Sequence, residues 1–160
     1  MSWIDKILPS IARDRRESKK RSSVPEGIWK KCPRCEAMLY KKSLTENFDV
    51  CPKCDYHLRI SARRRIELFL DQGEIVELNA DLESSDILKF KDLKRYKDRL
   101  FAAQKSTGEK EALVAVQGQL EGMPLVVLAF EFGFIGGSMG AVVGEKFTQA
   151  VNTCIQETLP

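Results

Sequence analysis

An α+β chain that opens with a four-cysteine zinc ribbon is the architecture this sequence predicts, and three observations predict it. Cys32, Cys35, Cys51 and Cys54 fall into two Cys-x-x-Cys pairs separated by 15 residues. Behind them, helical and strand periodicities alternate from residue 61 onward. Near the end, two strand-like runs lead into a glycine-rich turn and a long amphipathic helix. Three segments follow: an N-terminal helix and basic linker over 1–23, the ribbon over 24–60, and an α/β part over 61–160.

The two cysteine pairs carry the strongest chemistry. Zinc takes four soft or borderline ligands in a tetrahedron, and two knuckles can supply all four from two turns. Pro33 and Pro52 lie inside the knuckles, where a fixed φ favours a tight turn. Lys31, Arg34 and Lys53 sit beside them and offset the net −2 of a zinc bound to four thiolates. Four protein ligands close the coordination sphere, so the metal is read as structural, one per chain. His57, three residues beyond Cys54, is a weaker candidate ligand. Cys154, the fifth cysteine, reads as a small core residue.

The linker and helices come next. Trp3, Ile4, Ile7, Leu8 and Ile11 suit a short amphipathic helix over 2–12, and Arg13 to Ser23 reads as a solvated connector. Ser61 caps a helix expected to run to Gln72, with Ile66, Phe69 and Leu70 on one face and Gly73 as its stop. Arg63, Arg64 and Arg65 fall in its first turn, where the macrodipole disfavours cations; a solvated face is the first reading of this run and a nearby anion or acidic surface the second. A short strand follows at 74–79. A helix is expected over Leu93 to Gln104 with Leu93, Tyr96, Leu100 and Ala103 inward, ended by Thr107-Gly108.

Ala112–Leu120 and Leu125–Phe132 read as strands of a hairpin joined through Glu121, Gly122, Met123 and Pro124. Ala141 to about Glu157 reads as a helix with Val143, Phe147, Ala150, Val151 and Cys154 on one face. Between strand and helix, Gly136, Gly137, Ser138, Met139 and Gly140 form a turn whose amides suit an anion or a developing oxyanion. The same glycines also suit close packing, for which Gly140 and Gly144 are spaced. Glu131 and Glu145 flank the turn, and neither is assigned a catalytic role.

Composition narrows the class. With 43% apolar and 31% charged residues among 160, the chain is neither disordered nor fibrous. No run approaches about 18 consecutive apolar residues, and the first 20 residues lack a signal peptide's apolar core. Five cysteines, four in close pairs, suit a reducing compartment. Residues 1–65 hold 17 Lys and Arg against 8 Asp and Glu, whereas residues 66–160 hold 9 against 15. A basic front attracts nucleic acid, phosphorylated ligands or an acidic protein face.

The segments YKDRLFAAQKSTGEKEAL at 96–113 and FEFGFIGGSMGAVVGEKF at 130–147, behind VPEGIWKKCPRC at 24–35 and the opening MSWIDKI, resemble the β subunit of bacterial and plastid acetyl-coenzyme A carboxylase carboxyltransferase. The resemblance covers essentially the whole chain. It implies a crotonase-like (ClpP/crotonase) α/β domain behind the ribbon and an α2β2 assembly with an α subunit. The implied reaction moves a carboxyl group from carboxybiotin, on the biotin carboxyl carrier protein, to acetyl-CoA, giving malonyl-CoA for fatty acid synthesis. Biotin carboxylase and ATP serve the same complex, and the implied compartment is bacterial cytoplasm or plastid stroma. Gly136 and Gly137 then become candidates for the acyl-CoA pocket.

Against that family the sequence stops before a Ser-Gly-Gly-Ala-Arg-type turn whose amides hold the thioester enolate. It therefore reads as an amino-terminal fragment, expected to be inactive by itself. Two other classes remain open. Lys30, Lys31, Arg34, Lys41, Lys42, Lys53 and Arg59 suit a nucleic-acid-binding ribbon, with Tyr40, Phe48 and Tyr56 available for stacking yet more readily read as ribbon core. A non-catalytic assembly module is the third.

Overall fold

A computed structural model describes residues 27–160, and the expected helix over 2–12 and linker over 13–23 lie outside them. The ribbon begins with β1 (Trp29–Lys31) and β2 (Met38–Tyr40), an antiparallel pair with Lys30 opposite Leu39, followed by the short helix α1 (Lys41–Glu46). Its core is small: Leu39, Leu44 and Leu58 pack around the buried Cys32 and Cys51.

After the ribbon come α2 (Ala62–Phe69), β3 (Val76–Leu78), α3 (Tyr96–Thr107), β4 (Leu113–Leu120), β5 (Met123–Phe130) and α4 (Ala141–Glu157). The strands form one antiparallel sheet in the order β3-β4-β5, with Val116 facing Glu77 on one side and Val127 on the other. Alternate side chains of β4 point to opposite faces, so one strand serves two cores. Val114 and Val116 meet Ala62, Ile66 and Leu70 of α2 and its C-cap. Leu113 meets Leu100 and Ala103 of α3, Val143 of α4 and the fully buried Phe134. The result is a three-layered α+β unit with the ribbon at its amino-terminal side.

The hairpin turn is tighter than expected. Glu121 and Gly122 alone make it, at φ 52° and 76°, the left-handed pair that matches strand twist. Met123 and Pro124 therefore belong to β5, which ends at Phe130 rather than Phe132. Asp71 fixes the turn through Oδ2, which accepts from the Gly122 amide at 2.8 Å.

Helix ends shift where tertiary bonds compete. Ser61 caps α2 as expected, its hydroxyl accepting from Arg64 N at 3.2 Å. The helix stops at Phe69 rather than Gln72, because Leu70 turns extended and Asp71 N donates to Gln119 O of β4 at 2.9 Å. Gly73 is thus not the stop, and Phe69 is exposed. α3 starts at Tyr96, after a turn closed by a Lys91–Arg95 bridge, which leaves Leu93 96% exposed instead of inward. Gly108 ends α3 in the left-handed C-cap conformation.

Helix α4 has the expected bounds, with Val143 and Ala150 inward. Phe147 and Val151 are exposed, and the inward position between Val143 and Ala150 belongs to Lys146. Gly140 and Gly144 face open space, so the packing role expected of them is absent. No helix among the described residues is long and apolar enough to cross a membrane.

Candidate functional site

The two knuckles are built alike. In the first, Cys32 N donates to Ala37 O and Glu36 N to Cys32 O; in the second, Cys51 N donates to Tyr56 O and Asp55 N to Cys51 O. Each turn closes through a non-glycine residue at positive φ, Glu36 at 57° and Asp55 at 55°. This repeated fold aims all four sulfurs at one point.

The Sγ atoms of Cys32, Cys35, Cys51 and Cys54 lie within 4.8 Å of one another. Two edges of the cluster, Cys32 to Cys54 and Cys35 to Cys51, measure 3.7 Å. Zn–S bonds of about 2.3 Å in a tetrahedron imply edges of about 3.8 Å, so the donor set fits one zinc ion. Backbone N–H groups of Cys35 and Arg34 point at Cys32 and lower its pKa to about 6, against the opposing effect of burial. Burial pushes Cys54 up to about 12, with the other three cysteines adding to the rise. Four thiolates crowd together stably only around a cation. His57 is exposed and outside the cluster, paired instead with Val50.

The ribbon surface differs from expectation. Tyr40, Phe48 and Tyr56 are exposed rather than core, and so is Trp29, whose ring centroid lies 5.6 Å from that of Tyr40. Lys30, Lys31, Pro33, Tyr56, Leu58 and Arg59 line a cleft of about 390 Å³. Lys31 is paired with Glu36 at 2.9 Å.

Two of the three arginines, Arg63 and Arg64, find acidic partners within the chain. Glu109 grips Arg63 through two bonds of 2.6 and 2.7 Å, and Glu77 adds a third at 2.9 Å. These carboxylates hold the guanidinium charged, well above its usual range. Arg64 ties α2 to the ribbon through Asp49 at 3.3 Å and the Thr45 carbonyl at 3.0 Å. Near this cluster, Lys146 is 2% exposed and donates to Leu113 O at 3.1 Å. Burial lowers its pKa, with Glu77, Glu111 and Glu109 opposing the shift. Glu111, also buried, accepts from Ser84 Oγ and from Ala112 N.

At the glycine turn, Gly136 and Gly137 adopt φ of 70° and 73°, conformations that favour glycine. A Cβ at Gly136 would meet nothing within 4 Å, and one at Gly137 would reach only Phe132 and Phe130 at 3.8 to 3.9 Å. The Gly137 amide donates to Phe134 O at 2.8 Å. The turn therefore does not present an unbroken row of free amides, and α4 starts behind it at Gly140 with no side-chain cap.

Sequence reasoning missed Lys146, and it noted Glu131 beside the turn without finding its partners. Glu131 is 8% exposed; its Oε2 accepts from Ala62 N and its Oε1 from Gly133 N, both at 2.9 Å. A carboxylate one residue past a strand and two before a glycine was the available signal. Cys154 is half-buried, its thiol 3.8 Å from the Pro160 carbonyl.

Site and fold together define a four-cysteine zinc-ribbon protein with an α+β body. Residues 29–54 match the family model of the acetyl-CoA carboxylase zinc finger domain. Among solved structures, the transcarboxylase 12S core, described as a hexamer assembly with methylmalonyl-coenzyme A and methylmalonic acid bound, is similar at 20% identity and a TM-score of 0.47. That similarity covers 62% of this chain and 17% of the transcarboxylase chain.

Proposed function

We propose that this chain belongs to the β subunit of a biotin-dependent acetyl-CoA carboxyltransferase, with the ribbon over 24–60 and the carboxyltransferase part over 61–160. The ribbon match over residues 29–54 is the observation that carries this reading. The motifs at 96–113 and 130–147 support it, since they form α3, the glycine turn and the start of α4 around one core. In such an enzyme an α subunit completes an α2β2 assembly. A carrier protein, loaded by an ATP-dependent biotin carboxylase, delivers carboxybiotin, and the product is malonyl-CoA for fatty acid synthesis.

The chemistry explains what the site must do. Removing a proton from the acetyl methyl places negative charge on the thioester oxygen, and preorganised N–H donors stabilise it. We place the acyl-CoA pocket against Gly136 and Gly137, where the backbone is bare and room lies beside it. Their contribution is close approach rather than donation by Gly137, whose amide is already bonded. The zinc, held by Cys32, Cys35, Cys51 and Cys54, would be structural, since four sulfurs leave no open position.

Complementation tests the reading. The gene carrying this chain, expressed in cells depleted of their carboxyltransferase β subunit, should restore malonyl-CoA formation and co-purify with the α subunit. A full-length product of that gene that is present and bound to the α subunit, yet supports no carboxyl transfer, would overturn it.

One observation favours a second reading, nucleic-acid binding by the ribbon. Trp29, Tyr40, Phe48 and Tyr56 are exposed, and neighbouring Lys30, Lys41 and Lys42 have no carboxylate partner among the described residues. Stacking and phosphate neutralisation need these two groups together. Affinity for single-stranded oligonucleotides should fall steeply with salt and drop when Lys30, Lys31, Lys41 and Lys42 become glutamine. Binding indifferent to both would remove the reading.

A further inference from the structure

The peptide that leaves the ribbon and the peptide that enters the glycine turn are fastened to each other. Arg59 stacks its guanidinium carbon 4.0 Å from the centre of the Phe132 ring. Three residues on, the Ala62 amide donates to Glu131 Oε2, while the other oxygen of that carboxylate accepts from the Gly133 amide. Residues 59–62 and 131–133, about seventy positions apart in sequence, thus share two contacts on one short stretch, and a third bond within 131–133 fixes the carboxylate between them.

Glu131 has no spare polar atom in this arrangement. Its amide donates to Ala112 O at 2.7 Å and its carbonyl accepts from Phe134 N at 3.0 Å. The side chain is buried, so its two acceptors are committed rather than shared with water. It also supplies what α2 lacks. That helix has no acidic residue in its first turn and carries three arginines there, and a carboxylate at the Ala62 amide complements the positive end of the helix. Gly133 fits the same design: a Cβ there would stand 2.9 Å from Glu131 Oε1 and 3.2 Å from Thr107 Cγ2.

We propose that Glu131, with Arg59, is a positioning clamp that holds the entry of the glycine turn against the exit of the zinc ribbon, so that the ribbon sets where residues 133–137 stand. Glu131 touches no reacting atom in this scheme and acts through the turn. Its catalytic consequence rests on the carboxyltransferase reading above, whereas the clamp itself does not.

Hydrogen exchange on the full chain, followed residue by residue, separates the two. Glu131→Gln keeps size and shape but replaces one acceptor oxygen with a donor, which opposes the amide it faces. Exchange should then rise about tenfold or more at Ala62–Arg64 and at Gly133–Gly137 together, the scale for losing a bond to a buried charged acceptor. Amides of β4 should change little. Arg59→Leu should raise exchange at 133–137 to a smaller degree and leave Ala62 protected. Gly133→Ala should reproduce the Glu131→Gln pattern.

Exchange that stays unchanged at both sites, or rises equally throughout the chain, overturns the clamp. In the enzyme assembled with its α subunit, Glu131→Gln should lower kcat/KM for acetyl-CoA about tenfold or more while leaving KM for the carboxybiotin donor unaltered. A loosened turn with unchanged acetyl-CoA kinetics overturns the positioning role. Absence of carboxyl transfer by the full-length assembled enzyme even with Glu131 in place refutes the proposed function, and the exchange pattern then still decides the clamp.

Discussion

Replacing Arg63 by methionine should destabilise the chain by about 2 kcal/mol, and the geometry of its partners sets that figure. The guanidinium makes two parallel bonds to Glu109 and one to Glu77. Removing it leaves Glu109, whose side chain is 9% exposed, as a buried carboxylate without its paired guanidinium. Breaking a fully buried pair costs about 3–5 kcal/mol, while an exposed pair contributes at most about 1 kcal/mol. Arg63 is itself half exposed, so water screens the pair and the cost falls between those limits.

Urea unfolding of the zinc-loaded chain measures it. With a slope of about 2 kcal/mol per molar, the midpoint should drop by about 1 M. Adding Glu109→Gln to Arg63→Met should recover part of the loss, because the stranded charge is then gone. A midpoint shift under about 0.2 M, or a double variant weaker than both singles combined, would refute the account of a stranded carboxylate.

Other outcomes follow from the same structure. Purified chain should contain one zinc, and Cys32→Ser with Cys51→Ser should abolish it; a full metal load in that double variant would remove the four-sulfur site. Because burial holds the Lys146 pKa below its unfolded value of 10.5, the unfolded chain binds more protons in the window beneath 10.5, and stability gains from this residue as pH rises through that window. Lys146→Met lacks that gain, so the unfolding free energy of the unaltered chain should climb relative to the variant as pH rises toward 10.5. Parallel curves would show that the amine is not desolvated as described.

Local rules made some of this legible and distant partners hid the rest. The knuckles, the hairpin and α4 were readable because their determinants lie within a few residues: the cysteine spacing, a Glu-Gly turn, and apolar positions three and four apart. The early end of α2 was not, since Asp71 leaves the helix to pair with Gln119 in β4. Leu93 was misplaced because an apolar residue at helical spacing gives no sign that a Lys91–Arg95 turn precedes the helix.

In the site, the four ligands were legible and the buried charges were not. Glu131 reads only as a residue flanking the turn and Lys146 draws no reading, because charge is normally exposed. Only the folded chain brings Ala62 to one and the Leu113 carbonyl to the other. The exposed aromatics of the ribbon reverse the same rule, since the buried cysteines fill the space that Tyr40, Phe48 and Tyr56 were expected to occupy.

The borrowed acceptor of α2 also dictates an order of events during folding. Eight residues are too few to hold a helix in water unaided, and three adjacent arginines at its start make this one poorer still. Its missing carboxylate arrives from a residue 69 positions downstream, which stands in place only after the β4–β5 hairpin has closed. Hairpin closure is local and takes about 1–10 μs, whereas α2 must wait for a large loop to be drawn in. In a pulse-labelled refolding experiment the hairpin amides should therefore gain protection first, and Ala62 should join them in the same phase as Gly133.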